Sequence, residues 1–330
     1  MVSNMRKRSN RPTVVDLFAG AGLFSSAFAA EGFRVVLAIE QNAVAAETYR
    51  ANMGNHIRVG DINAVVPQGA CDVLIAGPPC QGFSTLGKRD GNDPRNRLSL
   101  HVGVWAEALS PNIVVVENVP TFLGSPYWAS LKATLERLGY EVAAEVLNAV
   151  DYGLPQIRRR CFAFASKVGL PRVPAPSGSK PMSVREAWQG LSAQPTGRDC
   201  HIAPEPSEIA LARMKVIPPG GDKRDVLRLA PHLAPRSWEK IGCEATDVWG
   251  RMIWDEPCNT LRTALLNASK GRYIHPEQNR VITLREAARL HGIDDSWRFV
   301  GTPYQVARQI GNGVPPPLGR VVARSVRRQL

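Results

Sequence analysis

A chain of 330 residues, 44% hydrophobic and 21% charged, is long enough for one large α/β domain plus a smaller one, and its composition excludes disorder as a general state. Forty-one Lys and Arg against 29 Asp and Glu leave a net charge of +12, the balance expected of a protein whose partner is a polyanion such as nucleic acid. No apolar run approaches the roughly 18 residues of a membrane span, and no signal-peptide apolar region follows Met5-Arg6-Lys7-Arg8. The six cysteines, Cys71, Cys80, Cys161, Cys200, Cys243 and Cys258, form no C-x-x-C and no Cys/His set with zinc spacing. A cytoplasmic, nucleoid-associated protein with reduced thiols and no metal is therefore expected.

In chain order, residues 13–18 read as a first strand, and Ala19-Gly20-Ala21-Gly22 turns the chain into a helix over 23–31. The glycines let backbone approach a ligand, and the helix N-terminus adds partial positive charge. A dinucleotide fingerprint wants a third glycine where Ser25 stands, which removes the main support for a hydride-transfer enzyme. A second strand over 34–39 delivers Glu40, placed to accept from both hydroxyls of a ribose. A short strand over 56–59 delivers Asp61, placed to read an adenine amino group. Together these strand ends describe an adenosine pocket.

The apolar run 73–76 leads into Gly77-Pro78-Pro79-Cys80-Gln81-Gly82-Phe83-Ser84. Two prolines cannot donate to a ladder, so the strand ends there and Cys80 is delivered on a stiff loop at the sheet's carboxyl edge, where ligands bind in open α/β sheets. A thiol needs a lowered pKa to act as a nucleophile, so this loop must supply N–H groups or a cation; the alternative is one more buried, inert cysteine. Residues 85–99 read as a mobile polar surface loop, 98–109 as a helix, and 113–116 as a buried strand that ends in Glu117, on the same edge as Cys80. A helix over 127–138, a strand over 140–147 and an apolar strand over 161–165 continue the alternation. In a strand Arg158 and Arg160 share one side and Arg159 takes the other, so the i, i+2 pair could be aimed into a site.

Prolines at 171, 174, 176 and 181 read as a linker into an irregular, tryptophan-containing region that extends to about Tyr273. Order resumes at 280–290, where Thr283 and Glu286 have capping-box spacing. Gln309-Ile310-Gly311-Asn312-Gly313-Val314 and a basic helix over 318–328 complete the chain.

Taken in order, these stretches resemble the DNA (cytosine-5) methyltransferase family from Thr13 to Arg324, with one variable gap. The resemblance implies a doubly wound, mostly parallel sheet of the class I S-adenosylmethionine-dependent type over 1–168 plus 305–330, the C-terminal stretch folding back to complete it. It implies a smaller, loop-rich target-recognition domain over 169–304. It further implies S-adenosylmethionine as methyl donor, held by Asp16, Phe18, Ala19, Gly20, Gly22, Glu40, Asp61, Ile62, Pro78, Asn312 and Val314. Cys80, Glu117, Arg158 and Arg160 are the implied catalytic set: Cys80 attacks C6 of a flipped-out cytosine, Glu117 contacts N3 and the exocyclic amine, and Arg160 holds O2 with Arg158 beside it. Gln81, Ser84, Arg97, Thr260 and Leu261 are implied to meet double-stranded DNA, with the loop 85–97 closing over it. A monomer is expected, with a cognate restriction endonuclease as a possible partner. Arg159 receives no role, Cys258 is read as packing, and His291 stands where the family often has Gln. Rival readings are a tRNA methyltransferase on the same scaffold, disfavoured by the absence of a Cys-Phe-Thr element, a nicotinamide oxidoreductase, and a catalytically silent DNA-binding protein.

Overall fold

A computed structural model describes residues 11–79, 94–176, 178, 180–241 and 247–330. Its frame is a seven-stranded sheet of order β3-β2-β1-β4-β5-β7-β6, formed by β1 (Thr13–Leu17), β2 (Arg34–Glu40), β3 (Ile57–Val59), β4 (Val73–Ala76), β5 (Ile113–Asn118), β6 (Glu141–Asn148) and β7 (Arg159–Ser166). The first five strands in that order are parallel, and β7 runs antiparallel to both β5 and β6. Side chains alternate between two cores. Val15, Leu17, Leu74, Ala76, Val114 and Val116 face one, and Val14, Val73, Ile75, Ile113 and Val115 face the other. Because both faces are covered, β4 and β5 are buried along their whole length, which is why they are continuous apolar runs in sequence.

Helices α1 (Leu23–Ala30) and α2 (Ala43–Met53) follow β1 and β2, while α3 (His101–Leu109) and α4 (Pro126–Arg137) supply Trp105, Leu131 and Leu135 to the first core. The expected doubly wound α/β sheet is present. Residues 94–100, expected as part of a mobile loop, instead form a 3-10 helix with Asn96 and Ser99 buried, the Ser99 hydroxyl donating to the Asn96 carbonyl at 2.8 Å. Its apolar members, Leu98 and Leu100, pack on the core beneath α3, which outweighs the polar composition. Residues 85–93 of that expected loop lie outside the described residues.

Beyond β7 come short helices, α5 (Val184–Ala187), α6 (Glu208–Val216), α7 (Lys223–Leu229) and α8 (Arg236–Ile241), then α9 (Leu284–Leu290) and α10 (Pro303–Asn312). With so little regular ladder, backbone carbonyls here are satisfied by side chains. Buried Arg251 donates to the carbonyls of Met214, Ile217, His275 and Gln278 and to Asn279 Oδ1. The capping box at α9 forms as expected, and Arg280 pairs with Glu286 through two bonds of 2.7 and 2.8 Å. Val306, Ala307 and Ile310 of α10 belong to the core of this region. Helix α11 (Pro316–Gln329) returns to the sheet and packs on α1, with Leu318, Val322 and Val326 in the second sheet core.

Candidate active site

A cavity of about 530 Å³ opens at the carboxyl ends of β1, β2, β4 and β5, a volume in the range of small-molecule sites. One wall is the turn from Asp16 to Phe24. Phe18 sits at φ +61°, a region costly for a side chain, and Gly22 at φ +89° has Tyr49 so close that a Cβ would come within 2.8 Å of its ring. This brings Gly20 N–H onto Glu40 Oε2 at 2.8 Å, while the other Glu40 oxygen accepts from Asn42 N–H at 2.6 Å. The carboxylate keeps lone pairs for further donors and is fixed at the rim. Asp61 caps the 3-10 turn 62–64 by accepting from Asn63, and lines the same cavity with buried Ile62.

Asp16 lies almost fully buried beneath this turn and accepts from the Ser25 hydroxyl at 2.6 Å. Ser25, where a glycine was looked for, thus has a polar task. Tyr49 OH lies 3.2 Å from Ser25 Oγ and 2.8 Å from His56 Nε2, extending the chain toward the surface. Burial pushes the Asp16 carboxyl from 3.8 up to about 7, against the lowering effect of the Ser25 bond and with a small rise from Glu40. A raised folded-state pKa means the folded protein holds this proton more tightly than the unfolded chain between about pH 4 and 7. Asp16 therefore stabilises the fold below that window and loses this contribution as pH rises through it. In Asp16→Asn the melting temperature of the ligand-free protein is expected to fall less between pH 5 and 7 than in the wild type; identical slopes would contradict the linkage.

The other end of the cavity is built by β4 and β5. Gly77, Pro78 and Pro79 line it, and Asn118 Nδ2 donates to the Pro78 carbonyl at 3.2 Å, tying the loop's start to the end of β5. Cys80, Gln81 and Ser84 lie outside the described residues. Glu117 is buried and takes Arg160 Nε at 3.1 Å, also in the cavity wall. Desolvation raises the Glu117 pKa, opposed by the charges of Arg160 and Arg158 and the Arg160 hydrogen bond.

Arg158 and Arg160 part company. β7 begins only at Arg159, and the Arg158 side chain, fully buried, turns away to donate to the carbonyls of Leu261, Gly311 and Gly313 at 2.9, 2.9 and 3.0 Å. Arg158, which the resemblance set beside Arg160 on the base, thus gives two of its nitrogens to three backbone carbonyls, while its charge still reaches Glu117. Leu261, expected at DNA, is likewise fully buried in the second region's core, its N–H held by Gln156 Oε1 at 3.1 Å. A fully covered leucine offers DNA no surface. Thr260 is partly covered, with its hydroxyl on the Ile157 carbonyl at 2.7 Å, and Arg97 and Arg159 are exposed. Cys258 packs in the core as read. His291 is buried, Nδ1 facing Gln156 Nε2 at 3.2 Å and Nε2 facing the Gly313 carbonyl at 3.0 Å; burial and the charge of Arg158 hold it neutral, so Nε2–H donates to Gly313.

The third wall is α10 and the turn after it: Gln305, Arg308, Gln309, Asn312 and Val314 all line the cavity. Asn312 and Val314 were expected there. Gln305 and Arg308 were missed, although they stand seven and four residues before Asn312, the spacing of one helix face. Gly311 passes so close to the 262–263 peptide that a Cβ would lie 2.5 Å from Arg262 C and Thr263 N, so this wall tolerates only glycine at that point.

Among the described residues no group of three or more His, Cys, Asp or Glu could hold a metal, and no helix is long and apolar enough to cross a membrane. The chain is 32% identical to the type II methylase M.HgiDII of Herpetosiphon aurantiacus, over 96% of its own length and 95% of that protein's. It is also 32% identical to the type II methyltransferase M1.HphI of Haemophilus parahaemolyticus, over 95% and 86%. Its fold matches the crystal structure of a DNA modification methyltransferase encoded within an E. coli prophage, with a TM-score of 0.75 at 24% identity over 96% and 99% of the two chains. The description "C-5 cytosine-specific DNA methylase" fits residues 12–209 and 223–328, and with that match over most of its length the chain belongs to the C-5 cytosine-specific DNA methylase family.

Proposed function

We propose that this DNA cytosine-5 methyltransferase uses S-adenosylmethionine and acts on a cytosine flipped out of a specific short duplex sequence, through a covalent bond from Cys80 to C6. The observation that carries the reading is one continuous cavity with Glu40 and Asp61 at one end and the Glu117–Arg160 pair at the other. The residues fit the donor: a carboxylate fixed at the rim for ribose hydroxyls, a glycine turn at close approach, and a buried acid under it. When bound, S-adenosylmethionine supplies an electrophilic methyl group. Cytosine C5 is a weak nucleophile on its own, so Cys80 thiolate adds to C6 and electron density moves through the ring toward N3. Glu117, with its pKa raised by burial, is suited to hold a proton toward N3, and Arg160 both orients Glu117 and faces the base oxygen. C5, made nucleophilic by this addition, would take that methyl with S-adenosylhomocysteine as the leaving group, and loss of the C5 proton with expulsion of Cys80 would then release 5-methylcytosine. Flipping costs a few kcal/mol, offset by DNA contacts from the 169–304 region and the basic surface.

The test is tritiated methyl transfer to duplex DNA, with bisulfite sequencing of host DNA to locate the modified base. Incorporation into tRNA with none into DNA would favour the rival reading. Glu117→Gln is expected to lower kcat by about 10²-fold or more with little change in donor affinity. A wild-type kcat in that variant would remove Glu117 from the chemistry. A monomer acting alongside a cognate endonuclease fits the reading, and sedimentation together with a neighbouring-gene survey would check both.

A further inference from the structure

We propose that Arg308 anchors the α-carboxylate of the methyl donor's amino-acid tail, an assignment that rests on reading the cavity as the donor site. Helix α10 is two-sided. Val306, Ala307 and Ile310 are buried in the second region's core, while Gln305, Arg308 and Asn312 face the cavity at i, i+3 and i+7. Residues from the first turn of the helix to its last line the cavity. Its start lies by α2, where Gly301 approaches Val44 near Glu40 and Asn42, and its end lies by the glycine turn, where Gly313 approaches Leu23. Arg308, about one turn before Asn312, therefore stands on the way to the end where the amino-acid tail of a nucleoside held by Glu40 must lie.

The charges around the cavity favour this placement. Four carboxylates line it, Asp16, Glu40, Asp61 and Glu117, against three cations, Arg95, Arg160 and Arg308. Arg160 is engaged by Glu117, and Arg95 has a partner of its own. The exposed guanidinium of Arg308 makes no hydrogen bond or ion pair with any described residue. A carboxylate entering a cavity lined by four acids, with Glu40 and Asp61 at its rim, needs a cation to meet it. A guanidinium matches a carboxylate through two parallel bonds and stays charged at any working pH.

Calorimetry on the full chain tests this with two probes, S-adenosylhomocysteine and its decarboxylated analogue, which lacks only the carboxylate. Arg308→Ala is expected to weaken S-adenosylhomocysteine by about tenfold or more, to leave the decarboxylated analogue at its wild-type affinity, and to melt at the wild-type temperature; Arg308→Lys should recover part of the loss. Equal losses for both probes, or none for either, would overturn the assignment. So would unchanged S-adenosylhomocysteine binding with a raised KM for DNA and a shallower salt dependence, which would give Arg308 to a DNA phosphate. Failure of the wild type itself to bind S-adenosylhomocysteine would instead sink the reading of the cavity, a result visible before any variant is made.

Discussion

Cys80→Ser is expected to abolish methyl transfer, lowering kcat by on the order of 10⁴-fold or more, the scale seen when an attacking nucleophile is removed, while donor affinity stays within about twofold. The serine hydroxyl is nearly isosteric but far less ionised at neutral pH, so it can occupy the position without adding to C6. The cavity walls that would hold the donor come from other elements: the Asp16–Phe24 turn, Glu40, Asp61 and α10. Loss of turnover with retained binding therefore separates chemistry from folding. Tritium transfer and calorimetry on the same preparation provide both readings, and substantial residual turnover would assign the nucleophile elsewhere.

Arg158→Met is expected to destabilise the protein by about 3–5 kcal/mol, the cost of leaving buried carbonyls without their charged donor. The carbonyls concerned belong to Leu261, Gly311 and Gly313, so the guanidinium joins the start of β7 both to the 261–263 segment and to the turn that carries Asn312. Gln156 and His291 join the same parts, through Leu261 N–H, the Leu290 carbonyl and the Gly313 carbonyl. Denaturant unfolding measures the loss. Arg160→Met serves as the contrast: its partner Glu117 lines the cavity, so activity should fall further than stability. If Arg158→Met unfolded like the wild type and lost only catalysis, Arg158 would belong with the base after all.

The sheet was legible because strands buried on both faces need unbroken apolar runs, and residues 73–76 and 113–116 are such runs. Glu40 and Glu117 were legible for a related reason: an acid closing an apolar strand stands at the edge where the strand leaves the core. The capping box of α9 is local and was read from two residues. Local rules failed where several segments converge. Period-two alternation put Arg158 beside Arg160, but the strand starts one residue later and three carbonyls from distant loops claim the first guanidinium. Composition made 94–99 a surface loop, yet packing under α3 buried Asn96 and Ser99.

What the sequence alone determined is thus the set of chemical groups and the sheet that orders them along one edge, since periodicity and strand ends act over a few residues. Only the tertiary structure decided which of those groups reach the cavity. The return of 260–314 across the sheet edge engages Arg158 and covers Leu261, because hydrogen bonds and burial between residues more than a hundred positions apart leave no local pattern to read, and it sets the helix face of Gln305, Arg308 and Asn312 against the cavity.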